Sequence, residues 1–323
     1  MNFKRCIIGL TGLLLGLGAA HAGPGAYPTK PIKMMVAFPP GGPTDNSIRI
    51  IADKLGELMG QSVFIENRAG AAGNVGAQTV ARSAPDGYTF LVTSSAFAVN
   101  PSMYGPAVGY DPVKDFIPVV TVSTQPNVIS VNEKVAARTL AELKELTRTG
   151  KLSFASPGSG TTPHLTCENI FKVSWKADIT HIAYKGAGPA SLAVVAGETP
   201  VACTAAFGVF QFHKQGKVRI LGISSDKRLA SLPEVPTFNE LGYPDINDYT
   251  WTTIFAPAGT PPAVVEKLNR AVNQILAMPD FKERLDKGGL MPVGGSVQQT
   301  STYIGSELRH WAKIVKETGA KPE

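Results

Sequence analysis

An apolar run of strand length, a turn of glycines and prolines, and an amphipathic run of helix length follow one another along most of this chain. In KPIKMMVAFPPGGPTDNSIRIIADKL the strand spans 33–38, the turn is FPPGGPTD and the helix spans 46–59. That helix carries Ile48, Ile51, Ala52, Leu55, Leu58 and Met59 on one face. Strands follow at 62–66 and 88–93 around a small-residue helix at 74–83, with further strands at 116–122 and 128–131. Next come a helix at 139–148, strand 152–156, helix 163–173, strand 179–184, helix 189–196 and strands 201–207 and 218–224. A strand at 252–256 and helices at 262–277, 279–287 and 297–317 complete the chain. Strands that alternate with helices predict α/β architecture, with mostly parallel sheets flanked by helices. With 323 residues and 43% apolar content, the chain is long enough for one large domain or two ordinary ones.

The turns between strand and helix carry the chemistry. In FPPGGPTD, Gly41 and Gly42 let backbone N–H groups approach a ligand closely, Thr44 or Asp45 caps the next helix, and the prolines stiffen the loop. Exposed N–H groups that run into a helix N-terminus form an anion site. PGSGTTPH repeats the device with Gly158 and Gly160, and AYKGAGPA repeats it with Gly186 and Gly188. One such turn alone is ordinary punctuation. Several, in two halves of the chain, predict an anion held between two lobes, at the strand edge where open parallel sheets bind ligands.

Residues 1–22 read as a secretory signal peptide: basic Lys4 and Arg5, an apolar run from Cys6 to Ala20, and the cleavage site Ala20-His21-Ala22. The run is too short and glycine-rich for a membrane anchor. Losing Lys4 and Arg5 lowers the formal net charge from +6 to +4. The remaining basic residues are scattered, without aromatic interleaving, so no nucleic-acid footprint is expected. Cys167 and Cys203 then remain, either as a disulfide suited to an oxidising compartment or as two small buried thiols. No histidine has ligand spacing to them, so no metal is expected. P-loop, nucleophile-elbow and dinucleotide-binding motifs are absent, and no cofactor is expected. Ser156, Ser159 and His164 lie close in sequence, yet no acid partner can be placed to orient the histidine, and the expectation is a protein that is not an enzyme.

The run YPTKPIKMMVAFPPGGPTD resembles the mature N-terminus of Bug-type receptors, the extracytoplasmic solute-binding components of tripartite tricarboxylate transporters. GQSVFIENRAGAAGNVGAQTVARSAPDGYTFLV, Asn100-Pro101, SPGSGTTPHL, AYKGAGPA and FAPAGTP resemble the same family, in order through the mature chain. The resemblance implies a two-lobed Venus-flytrap fold of the periplasmic-binding-protein kind, with lobe 1 formed by 27–124 plus 250–323 and lobe 2 by 125–249. It implies a periplasmic monomer that closes on a small carboxylate and delivers it to integral-membrane transporter subunits. By position, Phe38, Pro40, Gly41, Gly42, Pro43 and Thr44 should hold one carboxylate, with Asp45 capping its helix. Ser94, Ser95 and Asn100 follow the third strand. Ser156, Gly158, Ser159, Thr161 and His164 should grip the other end, with Tyr184, Lys185 and Gly186 at the cleft border, where cleft-edge packing would equally explain Tyr184 and Lys185.

The sequence also departs from that family's pattern. Relatives commonly carry a D-L-x-G-G-x-V-D-x-x-F-D run, and here Ala193, Pro200 and Thr204 stand where the acids would be. Without an acid at Thr204 to pair with a ligand amine, a plain carboxylate is expected rather than an amino acid. Phe97 and Trp251 would shape an aromatic wall or simply pack in the core, which keeps aromatic and aliphatic dicarboxylates both open. Two other functions stand beside transport: a secreted hydrolase built on Ser159 and His164, and a receptor that senses ligand without feeding a transporter.

Overall fold

The computed structural model describes residues 27–287 and 289–322, so the leader expected at 1–22 lies outside the described residues. The elements run β1 Ile32–Val36, α1 Pro43–Met59, β2 Val63–Asn67, α2 Asn74–Ala81, β3 Thr89–Ser94, α3 Ala96–Tyr104 and β4 Phe116–Asn132. Then follow α4 Leu140–Thr149, β5 Leu152–Ser156, α5 Thr162–Glu168, β6 Ile179–Ala183, α6 Ala187–Ala196, β7 Val201–Ala205, α7 Ala206–Lys214 and β8 Val218–Ile223. The chain ends with β9 Tyr249–Pro257, α8 Pro262–Ala277, α9 Pro279–Lys287, β10 Met291–Gly294 and α10 Val297–Thr318.

Local chemistry explains the first unit. Pro43 at the first helical position of α1 has its φ preset and no N–H to satisfy. Ile48, Ile51, Leu55 and Met59 are buried along one stripe of that helix, each contributing roughly 1.5–3 kcal/mol when fully buried. Gly60, at φ 74°, ends it in the left-handed region.

The strands follow the order β2-β1-β3-β9-β4-β7-β5-β6, with β10 and β8 also pairing with β4. The strands that alternate with helices pair in parallel: β1 with β2 and β3, and β5 with β6 and β7. The long strands β4 and β9 run antiparallel to their neighbours. The first half of β4 pairs with β9 and β10, and its second half with β7 and β8. One strand therefore passes through both sheets, and the return through β9 lies beside it, Gln125 opposite Thr250. Helices cover both faces of each sheet. One core gathers α1, α8 and α9 on β1, β3 and β4, and a second packs α2, α3 and α10 on the opposite face. In the other sheet, α4 and α5 cover one face and α6 and α7 the other. Cys167 on α5 and Cys203 on β7 form a disulfide, which decides between the two readings of that pair.

Candidate functional site

A cleft of about 260 Å³ opens where the strand ends of the two sheets face each other. The β1–α1 turn supplies Phe38, Pro39, Pro40, Gly41, Gly42, Pro43 and Thr44, and β3 ends in Ser94. The other sheet supplies Pro157, Thr161, Thr162 and Pro163 around the start of α5, and Lys185, Gly186, Ala187, Gly188 and Pro189 at the start of α6. Ala205 and Thr250 complete the lining.

The turn is built to point donors into this space. Gly41 adopts φ +81°, a left-handed conformation that only glycine takes without strain. Its N–H donates to Asp45 Oδ2 at 2.9 Å, while Arg49 Nε donates to the same oxygen at 2.8 Å and Asn67 Nδ2 to Oδ1 at 2.8 Å. Burial raises the Asp45 carboxyl, but the hydrogen bonds from Arg49, Gly41 and Asn67 outweigh it and hold the group below the usual carboxylate range. Asp45 therefore fastens the loop from beneath, with its charge matched by Arg49. Among the described residues, nothing accepts from the N–H groups of Gly42, Thr44 and Asp45 at the head of α1. The same holds for Thr162 and His164 at the head of α5 and for Ala187 and Gly188 at the head of α6. Three helix N-termini thus converge on one cavity, each carrying about half a positive charge. The one ionisable side chain on the described lining is Lys185, also positive. Such a site attracts an anion of small size and offers it hydrogen-bond donors from both sides.

Ten of the residues expected from sequence line the cleft: Phe38, Pro40, Gly41, Gly42, Pro43, Thr44, Ser94, Thr161, Lys185 and Gly186. Gly158, Ser159 and Tyr184 line an adjoining groove next to residues 69–73. The others stand behind the wall. Ser95 is fully buried, its hydroxyl 2.7 Å from that of Thr162. Phe97 packs among Tyr110, Phe116 and Phe255, with ring centroids 4.6–5.3 Å away. Trp251 is also buried in the core, its indole N–H donating to Glu307. Asn100 donates to Ala72 O and Asn74 Oδ1 and so braces the turn before α2. Ser156 meets His181 Nε2 at 2.6 Å. Thr204 is buried, and its hydroxyl has no partner among the described residues.

His164 lies beneath α5's first turn. Its Nδ1 accepts from the Gly160 N–H at 3.3 Å, and its ring stacks on His181 with centroids 4.0 Å apart. Burial, with the His181 ring and the Lys172 ammonium adding to it, pushes its pKa down to about 2, so the ring is neutral. The Ser159 hydroxyl has no hydrogen-bond partner among the described residues, and Nδ1 of His164 is already engaged by backbone. No Ser–His dyad is assembled.

The ligand residues expected by position leave out Thr162, Thr250, Ala187 and Ala205, and Gly188 enters only as part of the anion-binding turn. Ala187 and Gly188 lie inside the quoted AYKGAGPA turn, so the helix-start logic reaches them. Thr250 had no such mark, because its role depends on contact across the sheet: Thr162 Oγ1 meets Thr250 Oγ1 at 2.8 Å, and Thr250 donates to Asn127 Oδ1 at 2.7 Å.

Residues 47–320 match the family described as the tripartite tricarboxylate transporter family receptor. BugT of Bordetella pertussis is 37% identical over 327 aligned residues, covering 99% of each chain. The solved periplasmic binding protein BugD matches with a TM-score of 0.86 at 31% identity, over 92% of this chain and 100% of its own. The R. palustris protein Rpa4515, solved with adipate, also gives a TM-score of 0.86, at 32% identity and with the same coverage.

Proposed function

The chain belongs to the tripartite tricarboxylate transporter receptor family, the Bug-type solute-binding proteins, and on that premise we propose that it traps a small mono- or dicarboxylate and delivers it to the membrane subunits of such a transporter. Its fold is the two-lobed one of periplasmic binding proteins. The lobes are taken as 27–124 plus 250–323 and 125–249, so that β4 and the entry to β9 form the hinge. A leader at 1–22 directs the chain to the periplasm, where it works as a monomer.

The single observation that carries this reading is the convergence of three helix N-termini on a cleft whose described lining holds no carboxylate. The N–H groups of Gly42, Thr44 and Asp45 take one ligand carboxylate from lobe 1. The N–H groups of Thr162, Ala187 and Gly188, with the Lys185 ammonium, take the ligand from lobe 2. A charged ligand shared by both lobes stabilises the closed state by its extra contacts there, and that state is what a membrane partner can read. The adipate held by Rpa4515 fits this chemistry.

A thermal-shift panel of succinate, malate, adipate, citrate, glutamate, benzoate and terephthalate tests the proposal. A ligand at ~100 times its Kd adds about 2.7 kcal/mol to the folded state. One acid class is expected to raise the melting temperature clearly, and flat curves across the panel would contradict the proposal.

A further inference from the structure

The cleft does not end at the α1 turn. Past Gly41, Gly42 and Pro43 on one side and Ala187 and Gly188 on the other, it continues into a groove of about 380 Å³ between α6 and α7. Leu192, Phe207, Phe210 and Phe212 dominate the groove, and its described lining carries no charged side chain. Leu192 is 58% exposed, although the opposite face of α6 is packed away through Ala190, Ala193 and Val194. Exposed Leu192, with the partly exposed Phe207 and Phe212, leaves apolar surface in water beside the cleft, and the buried Phe210 lies at the bottom of the lining. The polar side chains there are Gln211, which is exposed, and Ser191, whose buried hydroxyl has no partner among the described residues. An apolar group that covers Ser191 therefore strips it of no water. Cleft and groove share Gly41, Gly42, Pro43, Ala187 and Gly188, so apart from the Pro43 ring little side chain stands between them.

On the reading that the cleft holds a carboxylate, we infer that this groove takes the apolar tail of the same ligand. The preferred acids then carry an alkyl chain or aryl ring beyond the carboxylate, rather than being short and compact. The head is fixed by the donors at the starts of α1, α5 and α6, and the tail runs over Leu192 and Phe207 toward Phe210. Each methylene that enters the groove tightens binding about fourfold.

Isothermal titration of the mature protein with the linear monocarboxylates from butyrate to decanoate, with phenylacetate and succinate alongside, tests this. The dissociation constant is expected to fall about fourfold per methylene until the groove is filled. Leu192→Asp should flatten the series, so that long and short acids bind alike. Gly208→Val should do the same, because a Cβ there lies 2.8 Å from the Ser191 hydroxyl. Should Gly208→Val not fold, the exposed Leu192→Asp decides alone. Short acids that bind as tightly as long ones would overturn the groove and leave the carboxylate reading standing. A chain-length gain that survives Leu192→Asp would also overturn the groove, whereas octanol binding as tightly as octanoate would overturn the carboxylate reading on which it rests. No binding by any acid would remove both.

Discussion

Gly42 takes an extended backbone, φ −78° and ψ 170°, and a Cβ built there meets nothing closer than the Pro39 carbonyl at 3.7 Å. Any L residue fits the loop, but its side chain stands over the N–H groups that begin α1. Gly42→Val is therefore expected to weaken carboxylate binding by on the order of tenfold or more, the loss of one hydrogen bond to a charged group, with the melting temperature unchanged. Titration calorimetry beside a thermal melt checks this, and full affinity would take the loop out of the site. His164 makes the opposite kind of prediction, about stability. Its folded pKa, about 2, lies below the unfolded value of about 6.5, so the unfolded chain binds a proton that the folded one refuses. Its contribution is present above pH 6.5 and lost as the pH falls, by about 2 kcal/mol between pH 7 and pH 5. Urea unfolding at the two values should show that loss, and His164→Gln should reduce it; an unchanged slope would mean that His164 is not the buried group. The glycine-rich turn is legible in sequence because few residue types can make it. The burial of His164 is not, since nothing in PGSGTTPH marks the imidazole as stacked on His181.

At the scale of elements, the periodic ones were legible and the rest were hidden by local chemistry. The amphipathic helices α1, α4, α8 and α10 and the apolar strands β1, β3 and β5 lie where their patterns place them. β4 reads as two strands because Ser123, Gln125, Pro126 and Asn127 interrupt its apolar run, yet the strand is continuous over 17 residues. Those polar residues are buried where the two sheets meet. Asn127 donates to Thr166 Oγ1 and accepts from Thr250, and Gln125 accepts from the Phe207 N–H. Tertiary pairing, not propensity, makes this stretch a strand. α3 carries Pro101 and no polar face, so it lacks a helix signature, and α7 looks like a run-on of β7. β10, Met291–Gly294, is four residues long and is defined by its pairing with β4. The disulfide joins α5, which heads into the cleft, to β7 behind it, across 36 residues. A bridge of that span restricts the unfolded chain, and its reduction should cost about 4 kcal/mol. Urea unfolding with and without a phosphine reductant checks this, and coincident curves would show that the bridge adds nothing.

Across the whole molecule, the hydroxyl and amide contacts of the cleft floor extend into a connected path. Ser95, Thr162, Thr250, Asn127, Thr166 and Asp248 follow one another at 2.7–2.9 Å, and Asp248 meets His310 on α10 at 3.0 Å. The hydrogen bond that His310 Nε2 donates to the Asp248 carboxylate raises the His310 pKa. The path joins the strand end of one sheet, the binding helix of the other and the C-terminal helix, so the floor is anchored while the walls carry the donors. The two-lobed architecture follows from a chain that alternates strand and helix and crosses between sheets along β4 and β9. The central claim is that the cleft recognises negative charge through helix N-termini rather than shape alone. Titration calorimetry with the most stabilising acid and with its neutral amide tests it most directly. One-to-one binding of the acid with no measurable heat from the amide is predicted, whereas equal affinity for both would mean that the converging N-termini do not hold the ligand.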